Sequence, residues 1–454
     1  MHISIARKIK LSPVRILSIG FALLILLGAI LLTFPISSAD GTWTPFLDCL
    51  FTSTSATCVT GLVTLDTGSH WNYFGKTVII FLIEIGGLGF MSFATLFALI
   101  LGKKITLRER LIMQEAMNTF DLQGLVKLGK YILIFTFAVE GIGALFLSTQ
   151  FIPEFGFARG IYYSIWHSVS AFCNAGFDLF GETSDKFISI VGWQRNPVVV
   201  MTLGVLIAIG GLGFSVWADI YNYKNMKSLS LHSKIVITIT LFLIFGGAVI
   251  IYIIEHNNSA TIGNMSLVDK FTNSLFAAVT PRTAGMNSIP TAEMMPTSRF
   301  FTMVLMFIGG SPGSTAGGIK TSTLGIIIMA IICTVKGKED TEIYKRRISK
   351  DLVLKAFTIA TIGLLVVASA TMILTVTERK MGFSLEFLLY EATSAFATVG
   401  LTLGVTPFLS SLGKVLIILC MYVGRVGPLT IALSLAQNKK KSAIRYPEDK
   451  ILVG

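Results

Sequence analysis

The heptapeptide ATCVTGL, residues 56–62, is small and rich in hydroxyl groups, yet it lies between two long apolar stretches of the chain. Related cores recur as FCNAGF, PRTAGM and FATVGL, and they align on four glycines: Gly61, Gly176, Gly285 and Gly400. These glycines are 115, 109 and 115 residues apart, close to a quarter of the 454-residue chain. The sequence therefore consists of four copies of one unit.

Other features repeat around each glycine. A small pair stands six and five residues before it, in order Ser55-Ala56, Ser170-Ala171, Val279-Thr280 and Ser394-Ala395. A moderately apolar stretch precedes each core, in order 45–57, 161–173, 269–280 and 385–397. These stretches are too short to cross a bilayer, which needs about 20 residues. Each unit thus predicts a spanning helix, a short helix, a small-residue loop and a second spanning helix.

Composition places the chain in a membrane. Hydrophobic residues make up 53% of it, charged residues 14%, and the mean hydropathy is +0.74, outside the range of soluble domains. Eight stretches are apolar enough to span the bilayer: 16–34, 78–101, 131–151, 198–216, 235–254, 300–335, 356–377 and 415–437. The first is longer than the core of a secretory signal and predicts an uncleaved helix.

The expected fold is an all-α polytopic membrane protein whose four loops surround a pseudo-fourfold central pore. Irregular backbone at membrane depth needs protein or water to satisfy its peptide groups, and four such loops can do this around one axis. The predicted repeats are 1–101, 102–234, 235–350 with a broken second helix, and 351–454 with a cytosolic C-terminal tail. The sequence GGLG, at 86–89 and 210–213, predicts close contacts inside apolar helices.

The net charge of +12 indicates topology rather than nucleic-acid binding. Of 37 Lys and Arg residues, 25 lie in segments 1–15, 102–130, 222–234, 335–355 and 437–454. The positive-inside rule places these segments and both termini in the cytoplasm, so the glycine loops face outward. The five cysteines, no two closer than nine residues, predict neither a disulfide framework nor a zinc site.

The loops have the chemistry of a cation filter. A short helix that ends at the axis points the negative end of its dipole there, and a ring of backbone carbonyls can replace the water around a cation. Glycine allows the conformations that this requires. Thr398-Val399-Gly400 and Val59-Thr60-Gly61 resemble the first half of the TVGYG loop of potassium channels. Because Tyr-Gly is missing, we expect a shorter filter.

Together these motifs resemble those of the Trk/Ktr/HKT superfamily of potassium transporters, and most closely those of the bacterial KtrB/KtrD-type membrane subunit. The resemblance rests on FLDCLFTSTSATCVTGLVTLDTG, SAFCNAGF, AVTPRTAGMNS and SAFATVGLT, and on EIGGLGF, AIGGLGF, IGGSPGSTAGGIKTS and YVGRVGPLT after them. It implies a homodimer in the lipid of the bacterial cell membrane, with one pore per chain. The partner that it implies is a cytosolic RCK-type ring that binds nucleotides, KtrA- or KtrC-like.

In this family, glycine in all four loops is associated with selectivity for K⁺, whereas serine in the first loop is associated with passage of Na⁺. The resemblance therefore implies transported K⁺, with Na⁺ as the activating or coupling ion, and no covalent cofactor. The ion is expected at the backbone carbonyls of twelve filter residues: Val59, Thr60, Gly61, Asn174, Ala175, Gly176, Thr283, Ala284, Gly285, Thr398, Val399 and Gly400. Cys58 and Asn174 depart from the threonine-like pattern of potassium channels, so no contact between their side chains and the ion is assumed.

A run of Gly, Ser and Pro interrupts the sixth apolar stretch, and a helix cannot continue through it unaltered. In the resembled family this run is a gate loop on the cytoplasmic side; a packing kink is the structural alternative. The expected gate residues are Gly309, Gly310, Ser311, Pro312, Gly313, Ser314, Thr315, Ala316, Gly317, Gly318, Lys320 and Arg425. The run is not a Walker A phosphate loop, because Ile319 displaces the lysine by one position.

Charges within the spanning stretches are costly and mark function by default. Arg425 is expected to face the pore beside the loop and repel cations; a salt bridge to Glu84 or another acid is the alternative. For Lys320, gate and scaffold roles both stay open. Arg282 is expected to point behind its loop as scaffold, and Glu84 and Glu140 to satisfy buried partners rather than carry protons.

The leading hypothesis is a channel-like K⁺ uptake subunit that is not an enzyme. A Na⁺-coupled secondary cation transporter is the alternative, since that class also uses broken helices and repeats. An ATP-driven membrane enzyme is disfavoured, because the sequence has no proper Walker A motif and no acidic metal cluster.

Overall fold

The computed structural model describes residues 13–89, 125–226 and 229–427, together with Pro447. We describe its helices in four groups, units one to four, each containing one of the four loop glycines. Unit one contains α1 Pro13–Thr33, α2 Phe46–Cys58, the single turn α3 Thr67–His70 and α4 Tyr73–Leu88. Unit two contains α5 Leu125–Phe155, α6 Phe157–Phe172, α7 Pro197–Gly211 and α8 Phe214–Met226.

Unit three begins with α9 Leu231–Leu241, which continues through a π-helical turn, Phe242–Gly246, into α10 Gly247–Glu255. It then forms α11 Leu267–Val279, α12 Pro296–Phe307 and α13 Thr321–Val335. Unit four contains α14 Lys350–Thr377, α15 Leu385–Ala397 and α16 Ser411–Val426. Short 3₁₀ turns lie in the connections at Pro35–Ser37, Phe180–Glu182, Val191–Trp193, Thr291–Glu293, Arg379–Met381 and Thr406–Phe408.

The first helix of each unit carries the apolar outer surface. Among the described residues, four helical segments are long and apolar enough to cross a membrane: Arg15–Thr33, Gly129–Phe155, Leu231–Glu255 and Lys350–Thr377. Large apolar side chains on them are exposed, such as Leu23, Leu145, Phe242 and Met372 at 61–74%. Such a surface is suited to lipid rather than to water. The short helices α2, α6, α11 and α15 instead bury most of their residues.

The second helices of the units are shorter than predicted within the described residues. The described parts of the predicted spans 78–101 and 415–437 end at Gly89 and Gly427, and the remainder lies outside the described residues. Capping fixes where these helices begin: the side chains of Asn72, Asn196 and Ser410 accept hydrogen bonds from first-turn N–H groups. The helix α12 begins instead with Pro296, whose missing N–H is not needed there.

The prediction of one uninterrupted span over 198–216 is wrong. The chain bends by 93° between α7 and α8, at Gly213, where φ is +93°. A Cβ on Gly213 would lie 2.7 Å from the carbonyl oxygen of Pro312, and the N–H of Phe214 donates to Gly313 at 2.9 Å. The bend therefore accommodates the Gly-rich loop of unit three. The predicted break within 300–335 is present, between α12 and α13.

One element departs from the all-α expectation. Two short antiparallel strands, β1 Thr341–Ile343 and β2 Arg346–Ile348, form a hairpin after α13. The hydroxyl groups of Tyr344 at its tip and Thr238 on α9 are 2.7 Å apart. The predicted C-terminal tail lies outside the described residues, apart from Pro447.

Candidate functional site

The four loop glycines form a closed ring. Each one packs against the carbonyl oxygen of the residue that precedes the next unit's glycine; the pairs are Gly61 with Ala175, Gly176 with Ala284, Gly285 with Val399 and Gly400 with Thr60. In the first two pairs an added Cβ would lie 2.6 Å from that oxygen. The last pair returns from unit four to unit one. Four segments more than 100 residues apart in sequence therefore meet around one axis.

The same backbone conformation recurs in all four loops. The glycines have φ of 96°, 74°, 77° and 94°, in chain order. The residue two positions earlier is also left-handed in each loop: Val59 at 57°, Asn174 at 60°, Thr283 at 73° and Thr398 at 51°. A β-branched residue rarely adopts such a conformation unless its surroundings enforce it. The strain therefore marks these loops as a built site.

The small pair before each loop anchors it. In units one and four the serine hydroxyl accepts from the glycine N–H at 3.0 Å: Ser55 from Gly61, and Ser394 from Gly400. In units two and three the hydroxyl donates to the carbonyl oxygen after the glycine: Ser170 to Phe177 at 2.6 Å, and Thr280 to Met286. Unit three carries its hydroxyl one position later, which explains why its pair reads Val-Thr.

Polar side chains in the loops behave in two ways. The hydroxyls of Thr60, Thr283 and Thr398 are buried and have no hydrogen-bond partner among the described residues. Such atoms are costly unless an ion or water satisfies them. The amide nitrogen of Asn174 instead donates to the carbonyl oxygens of Ala171 at 3.0 Å and Ile207 at 3.2 Å. With the amide in this orientation, the side chain of Asn174 is bound to the backbone of α6 and α7.

The Gly-rich segment 309–318 lies against the ring. A Cβ on Gly317 would meet the side-chain hydroxyl of Thr398 in the fourth loop. The hydroxyl of Thr315 donates to the carbonyl oxygen of Phe172, at the end of α6, at 3.2 Å. The N–H of Ser311 donates to Gly211 at 3.0 Å. The segment therefore contacts the elements that carry the second and fourth glycine loops.

Arg425 holds this segment to another unit. Its guanidinium donates to the carbonyl oxygens of Thr315, in the Gly-rich segment, and of Gly86, at the end of α4; a third bond reaches Gly87 at 3.2 Å. In the part of the chain that the structure describes, Arg425 forms no ion pair, so the alternative of a salt bridge to Glu84 or another acid is not observed. One side chain of unit four thus bridges units one and three.

The two other basic residues also bind backbone carbonyls. Lys320 donates to Ala316 at 2.6 Å and to Gly317 at 3.2 Å, within its own loop. Arg282 donates to Thr240 on α9 at 3.5 Å. Lys320 therefore holds the Gly-rich segment in shape, and Arg282 is directed behind the third loop toward α9, as the scaffold interpretation expects.

Glycines on the second helices allow these helices to approach the short helices. Gly86, Gly210 and Gly424 would each direct a Cβ at a carbonyl oxygen four residues before a loop glycine; the acceptors are Thr57, Phe172 and Phe396. The close contact predicted for GGLG is therefore present at both copies. Gly424 was not singled out from the sequence, although it stands next to Arg425, 24 residues after Gly400.

A family model described as TrkH: Cation transport protein matches residues 16–444. The chain is 46% identical over 448 residues to the potassium/sodium uptake protein NtpJ of Enterococcus hirae, covering 98% of both chains. It is 42% identical over 447 residues to the Ktr system potassium uptake protein B of Bacillus subtilis, again covering 98% of both. The crystal structure of the potassium transporter TrkH from Vibrio parahaemolyticus matches with a TM-score of 0.74 at 17% identity, covering 95% of this chain and 86% of that one.

Proposed function

The chain belongs to the TrkH family of cation transport proteins, and on this premise we propose that it is a K⁺ uptake subunit of the Ktr/Trk type. The observation that carries the proposal is the closed ring of four glycine loops. Ions would cross the membrane through this ring, at the backbone carbonyls of the twelve filter residues. The relatives named for potassium uptake support K⁺ as the ion.

The physical properties of the ring favour a cation. Four short helices end within a few residues of the loop glycines, and the negative ends of their dipoles stabilise positive charge. The unpartnered threonine hydroxyls supply further oxygen ligands. Carbonyl and hydroxyl oxygens attract the ion without binding it as tightly as carboxylates would. An ion can then enter the filter and leave it again.

We further propose that segment 309–318 is the gate. Its position against the ring and its bonds to Arg425 and Lys320 support a closed state in which it obstructs the ion path. Opening requires the segment to release the contacts that join it to units two and four. Glycine is suited to this movement because it tolerates large changes of φ and ψ.

Three finer expectations belong to the same proposal: activation by Na⁺, a homodimer, and control by a cytosolic RCK-type ring that binds nucleotides. The name of one relative includes sodium, and that of another describes a component of a Ktr system. The basic cytoplasmic segments predicted from the sequence would face such a ring. The division into four repeats with the boundaries given above is retained as part of the proposal.

The decisive experiment is Rb⁺ flux into liposomes that contain the purified chain, with and without a KtrA-type ring. We expect Rb⁺ and K⁺ to compete, and Na⁺ to raise the rate without entering in fixed proportion. Absence of Rb⁺ flux under both conditions would refute the proposed function. Flux strictly stoichiometric with Na⁺ would support the Na⁺-coupled secondary transporter instead.

A further inference from the structure

Three ionisable side chains meet in a buried cluster outside the filter and the gate. Glu84 lies on α4, Glu140 on α5, and Cys173 follows α6; one ligand atom from each lies within 4.8 Å of the others. The residues are 7%, 5% and 0% exposed, respectively. Unit one and unit two therefore meet through two carboxyl groups and a thiol.

The two carboxyl groups of the cluster have no basic partner in the part of the chain that the structure describes, although Arg425 is close enough to Cys173 to act on its thiol electrostatically. Neither glutamate forms an ion pair there, so the buried partner expected from the sequence is not a basic side chain. Glu84 Oε1 is buried and has no hydrogen-bond donor among the described residues. Two adjacent buried carboxyl groups cannot both be ionised without a cation. This unpartnered oxygen points to a ligand that is positively charged.

We propose that Glu84, Glu140 and Cys173 form a binding site for a thiophilic divalent cation of the Zn²⁺ class. A divalent ion neutralises both carboxylates, and the nearby guanidinium of Arg425 offsets the thiolate that metal binding requires, whereas one Na⁺ or K⁺ would leave a net negative charge in the cluster. The sulfur ligand favours soft or borderline metals over Mg²⁺ and Ca²⁺, which prefer oxygen. The inference goes beyond the proposed K⁺ pathway, because none of the three residues is a filter or gate residue.

The spacing of the ligand atoms fits this metal class. Zn–O and Zn–S bonds in a tetrahedral site place neighbouring ligand atoms about 3.4–3.6 Å apart. Cys173 Sγ lies 3.3 Å from Glu84 Oε2 and 4.0 Å from Glu140 Oε1. Small side-chain movements are sufficient to reach tetrahedral bonds, and a water molecule would be the fourth ligand.

The position of the site connects it to transport. Glu84 stands two residues before Gly86, which accepts a hydrogen bond from Arg425, and Cys173 directly precedes Asn174 of the second loop. A bound metal would join α4, α5 and the end of α6. We therefore expect an occupied site to hold α4 in place and to slow ion flux. This consequence, unlike the site itself, rests on the proposed function.

Direct binding of Cd²⁺ tests the site. We would use the purified full chain in nanodiscs after removal of its affinity tag, and measure bound Cd²⁺ by equilibrium dialysis and the thiolate-to-Cd²⁺ ultraviolet band. We expect one Cd²⁺ per chain, and affinity at least about tenfold lower for Cys173→Ser, Glu84→Gln and Glu140→Gln, as is typical when metal-site residues are lost. Cys420→Ser, which removes another buried thiol, should bind like the wild type.

Thermal unfolding of each variant separates lost ligands from misfolding, and three independent substitutions guard against one that fails to fold. Absence of Cd²⁺ binding, or equal affinity in wild type and Cys173→Ser, would overturn the proposed site. A proton shared between the two carboxyl groups would then explain their proximity.

Inhibition of Rb⁺ flux by Cd²⁺ tests the link to transport, and Cys173→Ser should relieve this inhibition. Binding without inhibition would overturn that link, while loss of all flux in Cd²⁺-free protein would count against the proposed function alone.

Discussion

A serine at Gly61 has no room for its Cβ. That atom would lie 2.6 Å from the carbonyl oxygen of Ala175, at a φ of +96° that side-chain-bearing residues rarely adopt. The first loop must therefore move relative to the second in Gly61→Ser. We expect the preference for Rb⁺ over Na⁺ to fall by at least about tenfold, a change of about 1.4 kcal/mol. Rb⁺ uptake with Na⁺ competition, in cells lacking other K⁺ uptake, measures this ratio.

Gly404→Ser is the matched control for Gly61→Ser. Gly404 also has a positive φ, +91°, but a Cβ there would meet no atom within 4 Å. Both variants introduce the same backbone strain, and only Gly61→Ser disturbs the ring. Unchanged selectivity with robust uptake in Gly61→Ser would mean that the ring is a scaffold and that the ion site lies elsewhere.

Asp178 gives the protein a predictable response to pH. It lies in the connection after the second loop, where its partial burial and the nearby Asp66 raise its pKa to about 7. The unfolded carboxyl group ionises at its ordinary pKa of 3.8, so the folded state binds more protons between these two values. Folding stability attributable to this group therefore falls as pH rises through that window and levels off above about pH 7.

We expect Asp178→Asn to remove this loss. The introduced amide is not ionisable, and its oxygen can still accept from the N–H of Phe180, as Asp178 does at 3.0 Å. The melting temperature of Asp178→Asn should exceed that of the wild type by a margin that grows from about pH 5 to pH 7 and then stays constant, following the ionisation of the wild-type carboxyl group. Asp185→Asn, at an exposed aspartate, serves as the control and should not change the melting temperature in this way. A margin that shrinks with rising pH would contradict the assignment.

For single residues, the sequence was informative wherever a feature repeated. The four loops that form the ring could be predicted because one pattern occurs four times. The displaced hydroxyl of Thr280 is visible in the sequence as Val-Thr in place of Ser-Ala. The partners of Arg425 could not be predicted. They are backbone carbonyls of two other units, and a carbonyl group has no sequence signature.

Among the elements, the Gly-rich segment and α16 are joined by the guanidinium of Arg425. Arg425 could keep the gate closed in two ways. It could repel cations, which needs only positive charge, or it could hold the Gly-rich segment by hydrogen bonds, which needs the planar guanidinium that reaches several carbonyl oxygens. Arg425→Lys separates them. We expect this variant to raise Rb⁺ flux without the ring by about tenfold, because losing about 1.4 kcal/mol of closed-state stabilisation shifts the gate by that factor.

Arg379→Lys, in the 3₁₀ turn Arg379–Met381, is the control for this exchange and should leave flux unchanged. If Arg425→Lys conducts like the wild type while Arg425→Gln conducts more, charge rather than the hydrogen-bond fork keeps the gate closed. The explanation by hydrogen bonds would then be wrong.

Substitution by alanine should change stability in opposite directions at Gly210 of α7, which approaches α6, and at Gly141 of α5. A Cβ at Gly210 would collide with the carbonyl oxygen of Phe172, whereas a Cβ at Gly141 in α5 would meet nothing within 4 Å. Gly210→Ala should therefore destabilise the protein by about 1–3 kcal/mol through overpacking. Gly141→Ala should be neutral or stabilise by up to about 1 kcal/mol, because alanine favours helix. Equal thermal shifts in detergent would show that α7 and α6 have room to separate.

Element boundaries were predictable where local chemistry decides them. The short helix predicted at 385–397 is α15, Leu385–Ala397, and that predicted at 45–57 is α2, Phe46–Cys58. The bend between α7 and α8 was not predictable. It depends on the approach of Pro312 and Gly313 to Gly213, a contact with another unit that hydropathy along one stretch cannot reveal.

Across the whole molecule, ion pairs join successive units in the same order as the ring. The base is the fourth residue of a second helix in each case, and the pairs are Lys76 with Glu182, Arg299 with Glu386, and Lys414 with Asp48. In α7 the fourth residue is Val200. There the amide of Asn273 donates to the carbonyl oxygen of Gln194 at 2.7 Å instead. The sequence contains the bases and acids, but only the closed ring tells which unit follows which.

The pair that closes the ring, Lys414 with Asp48, tests whether this order contributes to stability. Its atoms are 2.6 Å apart and the side chains are only 17% and 13% exposed, so solvent screens the pair less than a surface pair. We expect Asp48→Lys and Lys414→Asp each to lower the melting temperature and the double exchange to recover much of the loss, with a coupling energy of about 1–3 kcal/mol.

The exposed pair of Lys338 and Glu342, 47% and 49% exposed within the hairpin region, is the control for that cycle. Its coupling energy should stay below about 1 kcal/mol, because such pairs are well solvated. A closing pair that couples no more strongly than this control would mean that the ring is held by the packing of its loops alone. Strong coupling would mean instead that the junction of units four and one, which no direct chain connection enforces, is held in part by charge.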